Sequence, residues 1–274
     1  MIPDERRRRL VHIVDEQGSA SIADLTETLG VSHMTVRRDI KVLEEDGRLV
    51  SVAGGVTKPS RIALDATHQA KLGIRPIEKD AIASRAADLV SPGDVVYLDA
   101  GTTMLALARK LVERAAPEPL VIVTNDLAVA AAAGEHPQAR VHVLGGRLDP
   151  GNMSTDGPTA AAELAEFNID LAFVSASSFD LRGLSVPTEA KVMVKRAIIE
   201  NSSRSYLTTD ASKYGRVAAY KAISFGAFEG LITDPSLSQA AQDRSAELGV
   251  DLLLTGSSDP ATAPGSLDTS APHS

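Results

Sequence analysis

The amino-acid sequence predicts an α/β protein of two domains: a small N-terminal domain made mainly of helices, and a larger C-terminal domain with a mostly parallel β-sheet. Three observations predict this fold class. The chain has 274 residues, more than one domain usually needs. Apolar side chains recur at helical spacing in three segments between residues 4 and 46, whereas from about Arg75 β-prone runs alternate with helical ones. That alternation is typical of parallel sheets whose strands are connected by helices.

The composition is that of a globular protein without disulfides. Hydrophobic residues make up 43% and charged residues 23%, both ordinary values. The absence of cysteine excludes structural disulfides and thiolate metal sites, and it fits a reducing cytoplasm. No apolar stretch is long enough to span a bilayer, and the N-terminal residues lack the apolar core of a signal peptide. We therefore expect a cytoplasmic protein with no membrane partner, no metal and no cofactor.

The overall charge argues against a dedicated nucleic-acid binder. The net charge is −8 at pH 7, and such proteins are usually basic. The N-terminal domain is not basic either, because residues 1–58 hold 9 basic and 10 acidic side chains. Any case for DNA binding must therefore depend on where the charges lie.

Two short helices are predicted at the start of the chain. Apolar residues at helical spacing predict a first helix over residues 4–16. A second begins at Ser21, where Asp24 three residues later completes a start that resembles a capping box, and it stops at Gly30.

A third helix and a hairpin follow. Ser32 can cap a helix that runs to Asp46, with Gly47 as its terminator. The segment "RLVSVAGGV" then contains two β-prone pieces around Gly54 and Gly55, which predict a hairpin or wing. Two short helices joined by a glycine-containing turn form the helix-turn-helix pattern.

The third helix has two different faces. At about 100° per residue, its apolar stripe consists of Val36, Ile40 and Leu43. Arg38 falls about 200° from Val36, Met34 about 160° and Lys41 about 140°, so these three project from the opposite face. Arg37 lies to one side, about 100° from Val36. The two adjacent arginines therefore point in different directions.

This exposed face suits the major groove of DNA. A recognition helix presents its N-terminal turn and outer face to base edges, while flanking cations hold phosphates. An ordinary amphipathic helix with a solvated face is the alternative, but the caps, the turn and the wing together favour DNA binding. The predicted DNA contacts are Ser32, His33, Met34, Thr35, Arg37, Arg38, Lys41, Gly54 and Gly55.

The segment from Ser21 to Val56 resembles the winged helix-turn-helix of the DeoR family of bacterial transcriptional regulators. The family motif of Val-Ser, two variable residues, Thr, an aliphatic residue and Arg-Arg-Asp is matched at Val31, Ser32, Thr35, Val36, Arg37, Arg38 and Asp39. Members usually carry an arginine and often a histidine just before the Gly-Gly of the wing. Here Ser51, Val52 and Ala53 stand there, which shifts the expected DNA contact towards the third helix.

The C-terminal domain places polar loops after successive predicted strands. These loops are residues 99–103, 124–126, 144–146 and 209–213. In parallel sheets, ligands bind at the carboxyl ends of the strands. Gly101 permits a tight turn before Thr102 and Thr103, whose hydroxyls stand beside the free amides of a helix N-terminus and suit an anion. The alternative is a simple turn with a helix cap.

A second polar pair lies in the last of these loops. Lys213 can pair with a phosphate or carboxylate, and Asp210 can accept from a sugar hydroxyl; the alternative is a surface ion pair. The chain has neither Gly-x-Gly-x-x-Gly nor a Walker lysine, which disfavours dinucleotides and nucleoside triphosphates. Together the loops predict a pocket for a phosphorylated or polyhydroxylated molecule.

The family resemblance continues through these loops. Their order is similar to that of the DeoR sensor domain, which implies a fold similar to ribose-5-phosphate isomerase and glucosamine-6-phosphate deaminase, and a sugar phosphate as effector. Glu189 and Lys195 match a family segment near the pocket, whereas Ser175, Ser177 and Ser178 replace the more usual glycines. The predicted effector-binding residues are Asp99, Gly101, Thr102, Thr103, Thr124, Asn125, Gly145, Gly146, Glu189, Lys195, Asp210 and Lys213.

These observations predict a DNA-binding regulator with four regions. They are a winged helix-turn-helix domain (1–58), a linker (59–74), an effector-sensing and oligomerisation domain (75–255) and a disordered tail (256–274), which is rich in Pro, Ser and Ala. The expected partners are double-stranded operator DNA, a sugar phosphate and further copies of the chain in a dimer or tetramer. The alternative is a sugar-phosphate isomerase or deaminase with an accessory domain, because Asp99, Asp126, Asp210 or Glu189 can in principle supply a base.

Overall fold

The computed structural model describes residues 2–17, 19–45, 48–52, 54–57, 67–114 and 119–256. The predicted helix terminator Gly47 and almost all of the predicted tail lie outside these ranges. The predicted linker is described only from residue 67.

The N-terminal domain is a winged helix-turn-helix, as predicted. Its elements are α1 (Pro3–Gln17), β1 (Ser19–Ser21), α2 (Ile22–Leu29), α3 (His33–Glu45), β2 (Val50–Val52) and β3 (Gly55–Thr57). The Ser21 hydroxyl caps α2 by accepting from the amide of Asp24 at 3.1 Å, and Gly30 ends the helix with a φ of 64°. Both predicted boundaries of this helix are confirmed.

The wing is a three-stranded sheet in the order β1-β3-β2, with β1 as a strand that the sequence pattern did not predict. Gly54 turns the chain between β2 and β3 with a φ of 81°. Gly55 is required for a different reason: a Cβ there would collide with the carbonyl oxygen of Ala20 on β1. The second glycine of the pair therefore allows two strands to approach closely.

The core of this domain contains the predicted stripe of α3. Val36, Ile40 and Leu43 are buried, together with Leu10 and Val14 of α1, Leu25 and Leu29 of α2, and Val56 of the wing. Burial of such side chains stabilises the domain by about 1.5–3 kcal/mol each.

A buried ion pair joins α1 to α3. The guanidinium of Arg6 donates from Nε to one carboxylate oxygen of Asp39 and from its terminal nitrogen to the other, at 3.1 Å. Both side chains are almost completely buried. The pair therefore fixes α3, which carries the predicted DNA-binding face, against the first helix.

The C-terminal domain alternates strands and helices. Its elements are α4 (His68–Leu72), α5 (Pro76–Ala87), β4 (Val95–Leu98), α6 (Thr102–Glu113), β5 (Leu120–Thr124), α7 (Leu127–Ala133), β6 (Ala139–Val143), β7 (Arg147–Asp149), β8 (Ser154–Asp156), α8 (Pro158–Leu164), β9 (Ile169–Val174), β10 (Phe179–Asp180), β11 (Gly183–Val186), α9 (Glu189–Glu200), β12 (Ser202–Thr208), β13 (Tyr220–Ser224), β14 (Gly230–Thr233), α10 (Gln239–Glu247) and β15 (Asp251–Leu254).

Seven of these strands form one parallel sheet in the order β15-β14-β12-β9-β4-β5-β6. Its two faces are buried in different cores. Val96 and Leu98 of β4 pack with α5 and α6, whereas Tyr97 between them faces the core that includes α8 and α9. After β4 the chain moves to β5 on one side, and after β9 it moves to β12 on the other. This reversal of strand order opens a crevice at the carboxyl ends of β4 and β9.

The structure differs from the predicted linker at its C-terminal end. Residues 68–72 form α4, whose start is capped by Thr67. The amide of His68 donates to the carbonyl of Gly151 at 2.7 Å, and Lys71 Nζ donates to the side chain of Asn152 at 3.1 Å. These hydrogen bonds make α4 part of the C-terminal domain. No helix in the described ranges combines the length and the apolar character needed to cross a bilayer.

The pair of Arg6 and Asp39 should be essential to the N-terminal domain. Asp39→Ala leaves a buried guanidinium without its counterion, and we expect it to lower the free energy of unfolding of this domain by about 3 kcal/mol. Denaturant unfolding followed by circular dichroism measures the change.

Two variants serve as comparisons. Arg7→Ala, which removes an ion pair with the exposed Asp4, should change the free energy by less than about 1 kcal/mol. Replacing both partners, Arg6→Met with Asp39→Leu, should restore most of the stability. An Asp39→Ala protein as stable as Arg7→Ala would contradict the role of the pair.

Candidate functional site

The outer face of α3 is exposed as the angular analysis predicted. Met34 is 75% exposed, and Ser32, His33, Arg37, Arg38 and Lys41 are exposed with it. This face therefore presents a methionine flanked by cations and by the N-terminal turn of the helix.

The start of α3 shows that two predicted contacts also serve as a cap. The Ser32 hydroxyl accepts from the amide of Thr35 at 3.2 Å and shares a hydrogen bond with the Thr35 hydroxyl at 2.9 Å. In the wing, Gly54 is exposed and Gly55 is buried, so Gly55 has the packing role given above. Which of these residues contact DNA stays a prediction.

The wing is tied to α3 through Ser51. The amide and hydroxyl of Ser51 donate to the two carboxylate oxygens of Glu44, at 3.1 and 2.9 Å. Ser51 therefore positions the first wing strand against the helix and supplies no positive charge to it.

A cleft of about 1010 Å³, including the space at its open mouth, lies at the carboxyl ends of β4 and β9. Eight predicted effector residues line it: Asp99, Gly101, Thr102, Thr103, Asn125, Lys195, Asp210 and Lys213. The structure thus brings together residues from the loops after β4, β5 and β12 and from α9. Of the three serines singled out in the sequence, Ser175 and Ser177 line the cleft, while Ser178 is buried and donates to the carbonyl of Ser185.

Four predicted effector residues do not line the cleft. Thr124 is buried and its hydroxyl accepts from the amide of Asp126 at 3.1 Å. The amide of Gly145 donates to the carboxylate of Glu163. Gly146 lies in the loop between β6 and β7 with a φ of 122°, and Glu189 is exposed at the start of α9. Their place at strand or helix ends follows the predicted pattern, but none of the four lines the cleft.

Asp99 and Lys195, which both line the cleft, form a buried ion pair. The same carboxylate oxygen accepts from the amide and the hydroxyl of Ser175, at 2.8 and 2.9 Å. The ammonium of Lys195 also donates to the carbonyl of Ser175 at 2.7 Å. This arrangement connects the loops after β4 and β9 to α9.

Asp126 connects two more loops. One of its oxygens accepts from the amide of Gly101 at 3.0 Å, while the other caps α7 by accepting from the amides of Ala128 and Val129. Burial raises the pKa of the Asp126 carboxyl, and the three backbone hydrogen bonds and the nearby His68 oppose that rise. Asp126 therefore holds the start of α6 in place from the neighbouring strand end.

Asn125 is oriented by buried neighbours. Its carbonyl oxygen accepts from the Tyr97 hydroxyl at 2.8 Å, and its amide donates to the carbonyl of Thr155 at 2.7 Å. Burial raises the pKa of Tyr97 well above its usual value, so this hydroxyl remains a neutral donor.

The N-terminus of α6 opens into the cleft without a side-chain cap. Gly101 has a φ of 138°, which side chains rarely tolerate. The amides of the first turn, at Thr102 and Thr103, have no partner within the helix, and the helix dipole adds partial positive charge. An anion at this position would meet unpaired amide donors and the positive end of the helix dipole.

Several cleft residues were missed by the sequence analysis. They are His68, Lys71, Ile74, Lys79, Asn152, Thr155, Asp156 and Lys191. Most come from α4, the start of α5 and the β7–β8 hairpin. α4 and the two hairpin strands are too short to show a periodic pattern. Five lysines and three aspartates line the cleft, so this region is positive although the chain is acidic.

Two of these lysines are desolvated. Burial lowers the pKa of the Lys79 ammonium; Asp210 opposes the shift, and Lys213 and Lys71 reinforce it. Burial likewise lowers the pKa of Lys213, against the attraction of Asp210 and together with the repulsion of neighbouring cations. Across the described part of the chain, no group of His, Asp and Glu side chains suits a metal ion.

Comparison with known proteins identifies both domains. Residues 6–61 match the model of the DeoR-like helix-turn-helix domain, and residues 75–235 match the DeoR C-terminal sensor domain. The chain belongs to the DeoR family of transcriptional regulators.

Relatives match over nearly the whole chain. The HTH-type transcriptional regulator YgbI of Escherichia coli K12 is 43% identical over 93% of this chain and 98% of its own length. The HTH-type transcriptional repressor GlcR of Bacillus subtilis 168 is 27% identical over 93% of this chain and 97% of its own. Among solved structures, ribose 5-phosphate isomerase A of Methanocaldococcus jannaschii matches with a TM-score of 0.37 and 16% identity, over 51% of this chain and 55% of that one.

The lowered pKa of Lys213 predicts how stability depends on pH. Between that lowered value and the ordinary 10.5, the unfolded chain holds more protons than the folded protein, so the free energy of unfolding rises with pH. Lys213→Met should make this rise smaller. Urea unfolding between neutral pH and pH 10.5 measures it.

Lys110→Met is the matched control, because hydrogen bonds to Asp80 and Glu113 raise the pKa of Lys110. In Lys110→Met, the free energy of unfolding should still rise with pH as it does in the wild type. Equal pH dependence in wild type and Lys213→Met would contradict the desolvation of Lys213.

Proposed function

We propose that this protein is a repressor of a carbohydrate-metabolism operon that binds operator DNA through α3 and is controlled by a phosphorylated sugar in the cleft. The observation that carries the proposal is the presence, in one chain, of an exposed recognition-helix face and a preformed anion-binding cleft. A repressor among the relatives supports the direction of control. The cytoplasm, where DNA and sugar phosphates meet, is the expected location.

We propose that the two arginines of α3, Arg37 and Arg38, make different contacts with DNA. Arg38 projects from the centre of the outer face of α3 with Met34, where a guanidinium can bind guanine O6 and N7 bidentately. Arg37 lies at the flank, which suits a phosphate. Asp39, which follows Arg38, is buried against Arg6. This ion pair holds the outer face of α3 at a fixed orientation within the N-terminal domain.

We propose that the phosphate of the effector binds at the N-terminus of α6. The amides and hydroxyls of Thr102 and Thr103 supply donors, and the lysines of the cleft supply charge. Polar side chains around the cleft, among them Asn125 and Asp210, can hydrogen-bond the hydroxyls of a sugar. The cleft thus offers donors and positive charge for the phosphate of a sugar phosphate, and hydrogen-bond partners for its hydroxyls.

We propose no catalytic role for the cleft. A general base must be free to reach a substrate proton, but the carboxylate of Asp99 is surrounded by Lys195 and Ser175. Asp126 accepts three backbone amides, and Glu189 lies outside the cleft. The Asp210 carboxylate accepts from the amide and hydroxyl of Ser212 and lies 3.9 Å from Lys213. These arrangements favour binding over the isomerase or deaminase alternative.

Control of DNA binding requires that effector and operator prefer different states of the protein. Helix-turn-helix proteins read two half-sites one helical turn apart, or multiples of it, so we propose a homo-oligomer, either a dimer or a tetramer. The effector then shifts the population between arrangements that do and do not match the operator.

Single substitutions of the arginines should separate their tasks. With an operator selected from random DNA, Arg38→Ala should weaken binding by roughly 1–3 kcal/mol and relax base preference at one position. Arg37→Ala should weaken binding to all sequences alike and reduce the salt slope by about one. Fluorescence anisotropy at several salt concentrations measures both effects.

Arg182→Ala is the control, because this exposed arginine pairs with Asp180 in the C-terminal domain; operator affinity should not change. Unchanged base preference in Arg38→Ala would refute its part in base readout.

A threonine at the start of α6 tests the effector site. A thermal-shift panel of sugar phosphates first selects a ligand, since binding to the folded state raises the melting temperature. Thr103→Val keeps the shape but removes one hydroxyl, and it should weaken that ligand by roughly 1.5–3 kcal/mol. Operator affinity without ligand should stay the same.

Thr233→Val provides the matched control. Its buried hydroxyl has no hydrogen-bond partner within the described residues, and it does not line the cleft. Ligand affinity should be unchanged there. Failure of every sugar phosphate in the panel to bind would contradict the effector class.

A further inference from the structure

The outer face of α3 has a different neighbour on each side. On one side, about 80° from the buried Val36, Glu44 accepts hydrogen bonds from Ser51 of the wing. On the other side, about 60° from Val36 in the opposite direction, Asp39 accepts from Arg6 of α1. The face that we propose for DNA is therefore bordered by the wing on one side and by α1 on the other.

The basic side chains of α3 are unevenly divided between these two sides. Arg38 lies near the centre of the outer face, and the others lie towards the wing, between about 60° and 140° from Val36. These others are His33, Arg37 and Lys41. The side towards α1 contains Thr35 and Val42, both half-buried, and the paired Asp39. A helix in the major groove has a phosphate backbone on either side, so α3 offers flanking basic groups to only one of the two.

Helix α1 carries a basic side chain at the border that α3 leaves without one. It faces the core with Leu10 and Val14, about 40° and 80° from Arg6. Arg9 is exposed and lies about 60° from Arg6 in the opposite direction. Arg6 therefore lies between the core and Arg9, which places Arg9 at the solvent-exposed edge of the contact between α1 and α3. Arg8, also exposed, lies about 160° from Arg6, on the side of α1 that points away from α3.

The charge of Arg9 is available for a partner outside the domain. Within the described residues, no acidic side chain lies within ion-pair distance of Arg9 or Arg8. Arg7, by contrast, pairs with Asp4. We infer that Arg9 binds a DNA phosphate on the backbone next to α1, across the major groove from the backbone that Arg37 binds. The inference rests on the proposed function, and it adds a contact from outside the recognition helix and the wing.

The buried pair of Arg6 and Asp39 sets the spacing of the contacts. Arg9 lies about one helical turn after Arg6, and Arg38 directly precedes Asp39. Because both members of the pair are almost completely buried, the pair holds Arg9 and the arginine that we propose for base readout at a fixed separation. Such preorganisation lowers the ordering cost of binding.

Substitution of Arg9 tests this contact, with its neighbour Arg8 as the matched control. Fluorescence anisotropy at several salt concentrations measures binding of the full chain to the selected operator and to random-sequence DNA. At about 0.15 M salt, Arg9→Gln should bind both DNAs more weakly by a factor of about five for each bound copy, and the salt slope should fall by about one for each copy. Arg8→Gln should change neither quantity. Arg9→Lys should retain most of the affinity, because ammonium groups also hold phosphates.

Charge-neutral linkages in the DNA test which backbone Arg9 binds. A methylphosphonate removes the negative charge of a single phosphate, so a scan of both strands of one half-site identifies the phosphates that matter for the wild type. In Arg9→Gln, the methylphosphonate at the phosphate of Arg9 should cause no further loss of affinity. In Arg37→Ala, the phosphate that loses its effect should belong to the other strand.

Equal operator affinities of Arg9→Gln and Arg8→Gln would overturn the inference, and so would insensitive phosphates of Arg9→Gln and Arg37→Ala on the same strand. Thermal unfolding followed by circular dichroism should give both glutamine variants the midpoint of the wild type, and a lower midpoint in Arg9→Gln alone would contradict a contact made only with DNA. Loss of base preference in Arg38→Ala together with wild-type binding by Arg9→Gln would refute this inference alone. Failure of the wild type to select any operator would refute the proposed function as well.

Discussion

Two buried carboxylates at the ends of neighbouring parallel strands hold the cleft together. Asp99 follows β4 and binds Ser175 and Lys195, which belong to the loop after β9 and to α9. Asp126 follows β5 and binds the amide of Gly101 while it caps α7. The start of α6 is therefore positioned before any ligand arrives. Preorganised donors bind more tightly because little order has to be created on binding, which would account for buried acidic side chains beside the anion site that we propose.

The distribution of charge matters more than its total. A chain with a net charge of −8 has positive groups on the outer face of α3 and in a cleft lined by five lysines. Both regions depend on acidic residues for position: Asp39 fixes α3 through Arg6, and Asp99 fixes Lys195. Acidic side chains thus support the structure at the two places where we propose that anionic partners bind.

Local sequence patterns predicted those features of the fold that depend on residues close together in the chain. The caps of α2, the buried stripe of α3 and the polar strand ends of the parallel sheet all follow from residues a few positions apart. Long-range contacts could not be predicted in this way. Asp39 finds its partner Arg6 in another helix, and Gly55 is required by the approach of Ala20.

The cleft residues Lys79 and His68 could not be predicted either. They lie in a region without strong periodicity, which packs against the ends of the sheet strands. Thr124 and Gly145 show the opposite error, because a polar strand end can serve the fold alone.

The central claim is that the cleft and the DNA-binding face act on one equilibrium. Thermodynamic linkage makes the effect reciprocal, so operator DNA must change effector affinity by the same factor by which effector changes operator affinity. The most direct test is to measure the dissociation constant of the sugar phosphate by calorimetry, with and without saturating operator DNA, and the dissociation constant of the operator with and without saturating effector. We expect the two factors to be equal and to differ from one. An effector affinity that is the same with and without operator would contradict it.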